Sequence, residues 1–179
     1  EIDSGAVIIT GESSRKVNAE EIVRLIAGES GKFVAATAGP TFESVISAHG
    51  SGAVRYSEEN QVNLIHCDIG GGTSNVAVIE NGEILQTYCV NIGGRQLAYD
   101  NENIITRMEA SGRLFLKELG IDLDVGDRVT EETLGQVSQM MAETLIEILL
   151  GGNGSPLFPE IIEGTLPRIP DNKYLYSFS

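Results

Sequence analysis

Six residues, Asp68-Ile69-Gly70-Gly71-Gly72-Thr73, separate two apolar runs, Val62 to Asp68 and Asn75 to Glu80, that read as β-strands. The chain must therefore reverse at a glycine turn set at the edge of a sheet. Three glycines are free to take φ > 0 and carry no Cβ, so successive backbone N–H groups can converge as an anion-binding nest around a phosphate. Thr73 adds a hydroxyl donor, and Asp68 closes a buried strand, where it is placed to hold a hydrated magnesium ion or to orient an attacking water. The same six residues also fit a glycine hairpin whose Asp merely caps the turn.

The rest of the chain alternates in type. Ala6 to Thr10 is a short apolar run ended by Gly11, the pattern of a strand buried on both faces. Asn18 with Glu21 forms a capping-box signature before Ile22, Val23, Leu25 and Ile26, closed at Gly28. Phe33 to Ala38 is the next strand, and Gly39-Pro40-Thr41 starts a short helix carrying Val45 and Ile46 and stopping near Gly50. This order predicts parallel pairing of the first two strands. Ser51 to Gln61 is polar and aperiodic, and is expected to be a boundary between two lobes.

Beyond the glycine turn, Asn81-Gly82 is a type I′ hairpin signal leading into a strand from Glu83 to Ile92, so an antiparallel meander is expected, with Asn103 to Arg107 extending it. Ser111 to Leu119 reads as a helix closed by Gly120. Thr130 opens the longest helix, on which Leu134, Val137, Met141, Leu145 and Ile148 recur at three- and four-residue spacing; its methionines read as core. Gly151 to Pro170 is a glycine- and proline-rich connection with a helical turn near Ile161, and a last strand starts at Tyr174.

Twelve Lys and Arg against 26 Asp and Glu leave a formal charge of -14, which opposes binding to a nucleic acid backbone. No apolar run approaches the ~20 residues that cross a bilayer. Cys67 and Cys89 lie in strand-like runs and read as buried reduced thiols; with His49 and His66 as the only histidines, a zinc site is not expected. Gly31-Lys32 imitates the end of a Walker loop, but Ile26 replaces its first glycine and Phe33 its Ser or Thr. Asp122, Asp124 and Asp127 beside Gly126 lack the spacing and terminal Glu of a calcium loop. No Gly-x-Ser-x-Gly elbow or His-Glu-x-x-His helix occurs.

The order of elements, with the Gly39-Pro40-Thr41 helix, the Asp68 to Thr73 turn and a hairpin ending at Ile92-Gly93-Gly94, resembles the actin/Hsp70/sugar-kinase superfamily. Finer wording points to one group within it. Gly5 to Glu12, Arg15-Lys16 with Asn18-Ala19, Ala35 to Pro40, Phe42-Glu43-Ser44 and Asp68 to Asn75 are similar to the ethanolamine ammonia-lyase reactivating factors, the EutA family. Similarity is densest before Gly94 and looser from Ala98 to Pro170. One departure stands out: Hsp70-like members carry an acidic residue before the Pro of the connecting segment, and here Gly39 occupies it, with Glu43 one helical turn on.

The resemblance implies an α/β, ribonuclease H-like actin-like ATPase fold with mixed sheets flanked by helices, here spanning parts of two lobes. Residues 1–57 would close lobe I and 58–179 begin lobe II. It implies ATP and Mg as cofactors, Gly70, Gly71, Gly72 and Thr73 as the second phosphate motif, and Asp68 as the catalytic residue that also holds Mg through water. It further implies a chaperone-like reactivase that acts on ethanolamine ammonia-lyase and releases damaged adenosylcobalamin, in the cytoplasm and in the setting of a bacterial microcompartment; a homo-oligomer is left open. The chain begins without Met and ends inside a strand-like pattern, and a piece of a longer protein is expected. The first phosphate turn would precede Glu1 and the adenosine glycines would follow Ser179, so the parent is expected to hydrolyse ATP and this piece to bind it weakly. Two rival readings are a small-molecule kinase of the same fold and a non-enzymatic actin-like scaffold.

Overall fold

A strand buried on both faces forces helices onto both sides of its sheet. In the computed structural model, which describes residues 5–9, 21, 33–37, 39–152, 154–163, 169 and 173–179, the strand after the glycine turn has that character. This strand, β4 (Ser74–Glu80), is buried over six of its residues and lies at the centre of a five-stranded sheet ordered β8-β5-β4-β3-β9. Its neighbours are β3 (Asn63–Ile69) and β5 (Glu83–Val90), both antiparallel to it, as expected for a meander. The β4–β5 turn has Asn81 at φ 49° and Gly82 at φ 87°, the paired positive angles of a type I′ turn. β8 (Ile162–Glu163) adds to β5, and β9 (Tyr174–Phe178) runs parallel to β3 at the opposite edge. Earlier in the chain, β1 (Gly5–Ile9) and β2 (Phe33–Thr37) form a separate parallel pair, as the alternating pattern predicts. The helix expected from Asn18 to Gly28 lies, apart from Glu21, outside the described residues.

Period-two alternation sorts the sheet into two faces. One carries Ile65, Cys67, Val76, Val78, Tyr88 and Val90 and packs with Phe115, Leu116, Val137, Leu145 and Ile148. Those residues come from α3 (Ala110–Glu118) and α4 (Glu131–Leu149), and the short α5 (Phe158–Ile161) contributes Phe158 and Ile161. The other face carries Leu64, Ala77 and Ile79 and is covered by Ala48 of α1 (Pro40–Gly50) and by Ala53 and Val54 of α2 (Ala53–Asn60). Alanines at 48 and 77, both fully buried, allow α1 to lie close on the sheet.

The helix starts and stops follow the sequence signals. Gly39 is the extended N-cap of α1, with Pro40 in its first turn. The Thr130 side chain accepts the Thr133 N–H at the start of α4. Gly120 takes φ 70° after α3, donating its N–H to Lys117 while Ile121 donates to Leu116, the paired bonds of a Schellman ending.

Two expectations are corrected. Ser51 to Gln61 is not irregular: Gly52 at φ 81° ends α1 and α2 begins at the next residue. Only Ala53, Val54 and Ser57 are buried on α2, so its inward stripe is short and partly polar, which hides the helical period. Residues 103–107 do not extend the meander. Ile105–Met108 (β7) instead pairs with Leu97–Tyr99 (β6) in a small sheet of its own, because the chain leaves the main sheet at Ile92-Gly93-Gly94.

Candidate functional site

The turn at 70–73 is tied down from one side by the chain that follows β5. Gly70 donates its N–H to Thr73 O (2.8 Å), closing the β3–β4 connection. Gly94 N–H then bonds Gly70 O (2.9 Å), Arg95 N–H bonds Gly71 O (2.7 Å), and Gln96 Nε2 bonds Gly72 O (2.6 Å). Every carbonyl from Gly70 to Gly72 is thus turned toward residues 94–96. Ser74 Oγ donates to Ile92 O (2.7 Å) from beneath. Gln96 is itself buried and accepts from Ser111 Oγ, so the clamp is anchored to the first turn of α3.

With their carbonyls engaged, the amides face the other way. Among the described residues the N–H groups of Gly71, Gly72 and Thr73 meet no protein acceptor, and these three residues lie exposed or half-buried. A β-carbon built on Gly72 would meet nothing within 4 Å, leaving the peptide surface open to approach. The turn differs from expectation in one respect. None of the three glycines occupies the left-handed region; among the described residues the positive-φ glycines are Gly52, Gly82, Gly120, Gly126 and Gly151. Only at Gly70 would a β-carbon be tight, 3.2 Å from Thr73 O; at Gly71 the nearest atom would be 3.6 Å away.

Asp68, the last but one residue of β3, stands opposite Asn75, and its Oδ1 accepts a hydrogen bond from Ser179 Oγ (3.0 Å). The residue after β9 is stitched to β3 at this point: Ile69 N–H bonds Ser179 O (2.9 Å) and Ser179 N–H bonds Cys67 O (3.1 Å). Two residues before Asp68, on the same sheet face, His66 is fully buried. Its Nδ1 lies 2.7 Å from Ser177 Oγ, and its Nε2 lies 3.3 Å from both Ser51 Oγ and Ser179 Oγ. Burial holds the imidazole below its ordinary pKa, against the opposing pull of the Asp68 charge.

Gly72 and Thr73 open onto a cleft of about 380 Å³ whose far wall includes Ser111, Arg113 and Lys117 of α3 with Glu109, Glu160 and Glu163. Arg113 is committed elsewhere, forming a two-armed bond to Asp124 (2.8 and 2.9 Å). Asp127 in turn accepts the Asp124 N–H (2.7 Å), so these aspartates organise the loop before α4. Gly39 caps α1, and the half-buried Glu43 lies in its first turn.

Gly70, Gly71, Gly72 and Thr73 thus form the β3–β4 connection, and Asp68 lies in the strand that leads into it. Gln96 and His66 were not marked. Gln96 has no sequence signal beyond its place two residues after Gly93-Gly94. His66 had one: it is the polar member of the alternation Leu64-His66-Asp68, which a strand places on one face.

An α/β protein with a clamped, glycine-rich amide turn beside a strand-end aspartate is the class that these features define. The chain belongs to the EutA family: residues 1–179 match the model of the ethanolamine utilisation protein EutA. It is 38% identical over 167 residues to the ethanolamine ammonia-lyase reactivase EutA of Salmonella typhimurium, and 40% identical over 168 residues to that of Escherichia coli. Each match covers 93% of this chain and 36% of the relative, so the chain spans little more than a third of the length of these curated relatives.

Solved structures with partial similarity include a Ppx/GppA phosphatase of Aquifex aeolicus, with 20% identity, a TM-score of 0.42, and coverage of 79% of this chain and 38% of that one. The ethanolamine utilization protein EutJ of Carboxydothermus hydrogenoformans shares 21% identity at a TM-score of 0.39, covering 83% and 48%. MreB 5 of Spiroplasma citri, bound to AMPPNP, shares 15% identity at a TM-score of 0.36, covering 87% and 52%.

Proposed function

We propose that this chain is the part of an ATP-dependent reactivating factor for ethanolamine ammonia-lyase that holds its second phosphate turn. The observation that carries the reading is the row of amides at Gly71, Gly72 and Thr73, directed away from the clamp at 94–96 and beside Asp68. Such a row suits phosphate oxygens: oriented N–H dipoles act as fixed partial positive charges and need no reorganisation when an anion arrives. In this reading Gly70, Gly71, Gly72 and Thr73 hold the phosphate groups of ATP, and Asp68 holds hydrated Mg or orients the attacking water. Bound Mg neutralises charge that builds on the phosphate oxygens during transfer.

The partner, ethanolamine ammonia-lyase, follows from what the curated relatives are named for. Release of damaged adenosylcobalamin would be driven by closure of two lobes, with nucleotide state setting the affinity for the lyase. Residues 1–57 and 58–179 would belong to different lobes, in the cytoplasm and alongside a microcompartment. Among the described residues no helix is long and apolar enough to cross a membrane.

The test is calorimetry with ATP and Mg on this chain and on a protein extended to the length of its relatives, each with and without Asp68→Ala. Tight binding only in the extended protein, with Asp68→Ala removing turnover more than affinity, is expected. No binding in either would overturn the reading and favour an actin-like scaffold.

A further inference from the structure

Three hydroxyls from two separate segments converge on the single imidazole of His66. Ser51 follows the last residue of α1, whereas Ser177 and Ser179 lie in and just after β9. The proton on the ring can be placed by following where each hydroxyl proton goes. Ser179 Oγ gives its proton to Asp68 Oδ1, an acceptor only, so toward His66 it can only accept. Ser51 Oγ accepts from Ala53 N–H (3.4 Å) and has Ala48 O (3.3 Å) to take its own proton, so it can accept from His66 as well. Ser179 therefore requires hydrogen on Nε2, and Ser51 can share it at the same 3.3 Å distance. In the neutral ring Nδ1 is then an acceptor, and the short approach of Ser177 Oγ, 2.7 Å, matches a hydroxyl donating to it. One tautomer satisfies every member of the network.

We propose that His66 is a positioning residue for Asp68: in its Nε2–H form it holds Ser179 so that the hydroxyl proton points at the Asp68 carboxylate, and it ties this assembly to Ser51 at the end of α1. The carboxylate is thereby held, through Ser179, by a buried ring, and the end of α1 is coupled to the strand that leads into the glycine turn. A buried imidazole suits the task because it bridges a donor and an acceptor at a fixed separation, on a rigid plane. The consequence for catalysis rests on the reading of Asp68 given above; the tautomer and the carboxylate contact do not.

Long-range nitrogen–proton NMR of this chain should show Nε2 protonated and Nδ1 bare, and the opposite tautomer would overturn the assignment. The carbon signal of the Asp68 carboxyl should move in His66→Phe and in Ser179→Ala but stay near its native position in His66→Gln, whose amide can still donate to Ser179. A signal unmoved in Ser179→Ala overturns the proposal, whether or not His66→Phe folds. In a protein of the relatives' full length, Ser179→Ala and His66→Phe should lower kcat for ATP about tenfold with KM little changed, and His66→Gln should restore most of it. If Asp68→Ala abolishes turnover while Ser179→Ala does not alter it, positioning fails and the ATPase reading stands. If the unmodified protein turns over no ATP, that reading fails and the carboxyl signal decides positioning by itself.

Discussion

Gly93 lies directly against Gly71: a β-carbon built on Gly93 would stand 2.6 Å from the Gly71 carbonyl oxygen and 2.7 Å from its carbonyl carbon. Backbone meets backbone here, so no side chain can swing aside to make room. Gly93→Ala should therefore push the clamp away from the turn and destabilise the fold by about 1–3 kcal/mol. Gly94→Ala is the control, because the nearest atom to a β-carbon there is 3.9 Å away. Urea unfolding of the two variants checks this; equal stability would mean that the clamp yields freely.

Ser57 joins α2 to the β4–β5 hairpin. Its Oγ donates to Val62 O (2.6 Å) and accepts the Gly82 N–H (3.0 Å), and the residue is fully buried. Ser57→Ala strands both backbone partners and should cost about 1–3 kcal/mol. Arg55→Ala, on the exposed side of the same helix, should change stability by less than about 0.5 kcal/mol. Thermal unfolding that finds the two equally mild would indicate that 51–61 behaves as the linker which its composition suggests.

That helix shows where the sequence stops being legible. The meander, the Asn81-Gly82 turn and α4 were readable because each rests on a local signal: alternation, a φ > 0 dipeptide, an N-cap followed by a regular apolar stripe. α2 has no such signal, since Ser57 packs inward as a polar residue whose partners, Val62 and Gly82, are supplied by tertiary structure. The site divides in the same way. Gly70 to Thr73 and Asp68 are contiguous and announce themselves, whereas Gln96 and Ser179 reach the turn only through sheet order and the register of β9 on β3. Composition likewise shows that the three glycines are free to take φ > 0 but not that the clamp at 94–96 holds them outside that region.

Both thiols should be unreactive in the native state. Cys67 and Cys89 are buried thiols outside any disulfide, and burial together with the Asp68 charge pushes the Cys67 thiol up to about 12. Because thiolate is the attacking form, an aromatic disulfide reagent at about pH 8 should label neither cysteine until denaturant is added, then both. Rapid labelling of one thiol without denaturant would place that cysteine at a surface and contradict its packing in the sheet.

The pH dependence of stability should carry the mark of His66. Its folded-state pKa is depressed by burial below the ordinary 6.5, so the unfolded chain takes up the proton first as pH falls. The contribution is therefore fully present above the unfolded value and is lost as pH drops through that value toward the folded one. Asp68 acts in the opposite sense, favouring the imidazolium, and so narrows this window without reversing it. His66→Gln removes the titrating group while keeping an amide that can bond Ser179. Between about pH 7.5 and about pH 5.5, the native chain should thus lose more stability in urea than the variant does, the difference isolating His66 from carboxylates that titrate in both. A native chain that instead gains stability relative to His66→Gln on acidification would mean that the ring is charged inside the fold, and the network of Ser51, Ser177 and Ser179 would have to be redrawn around two donors.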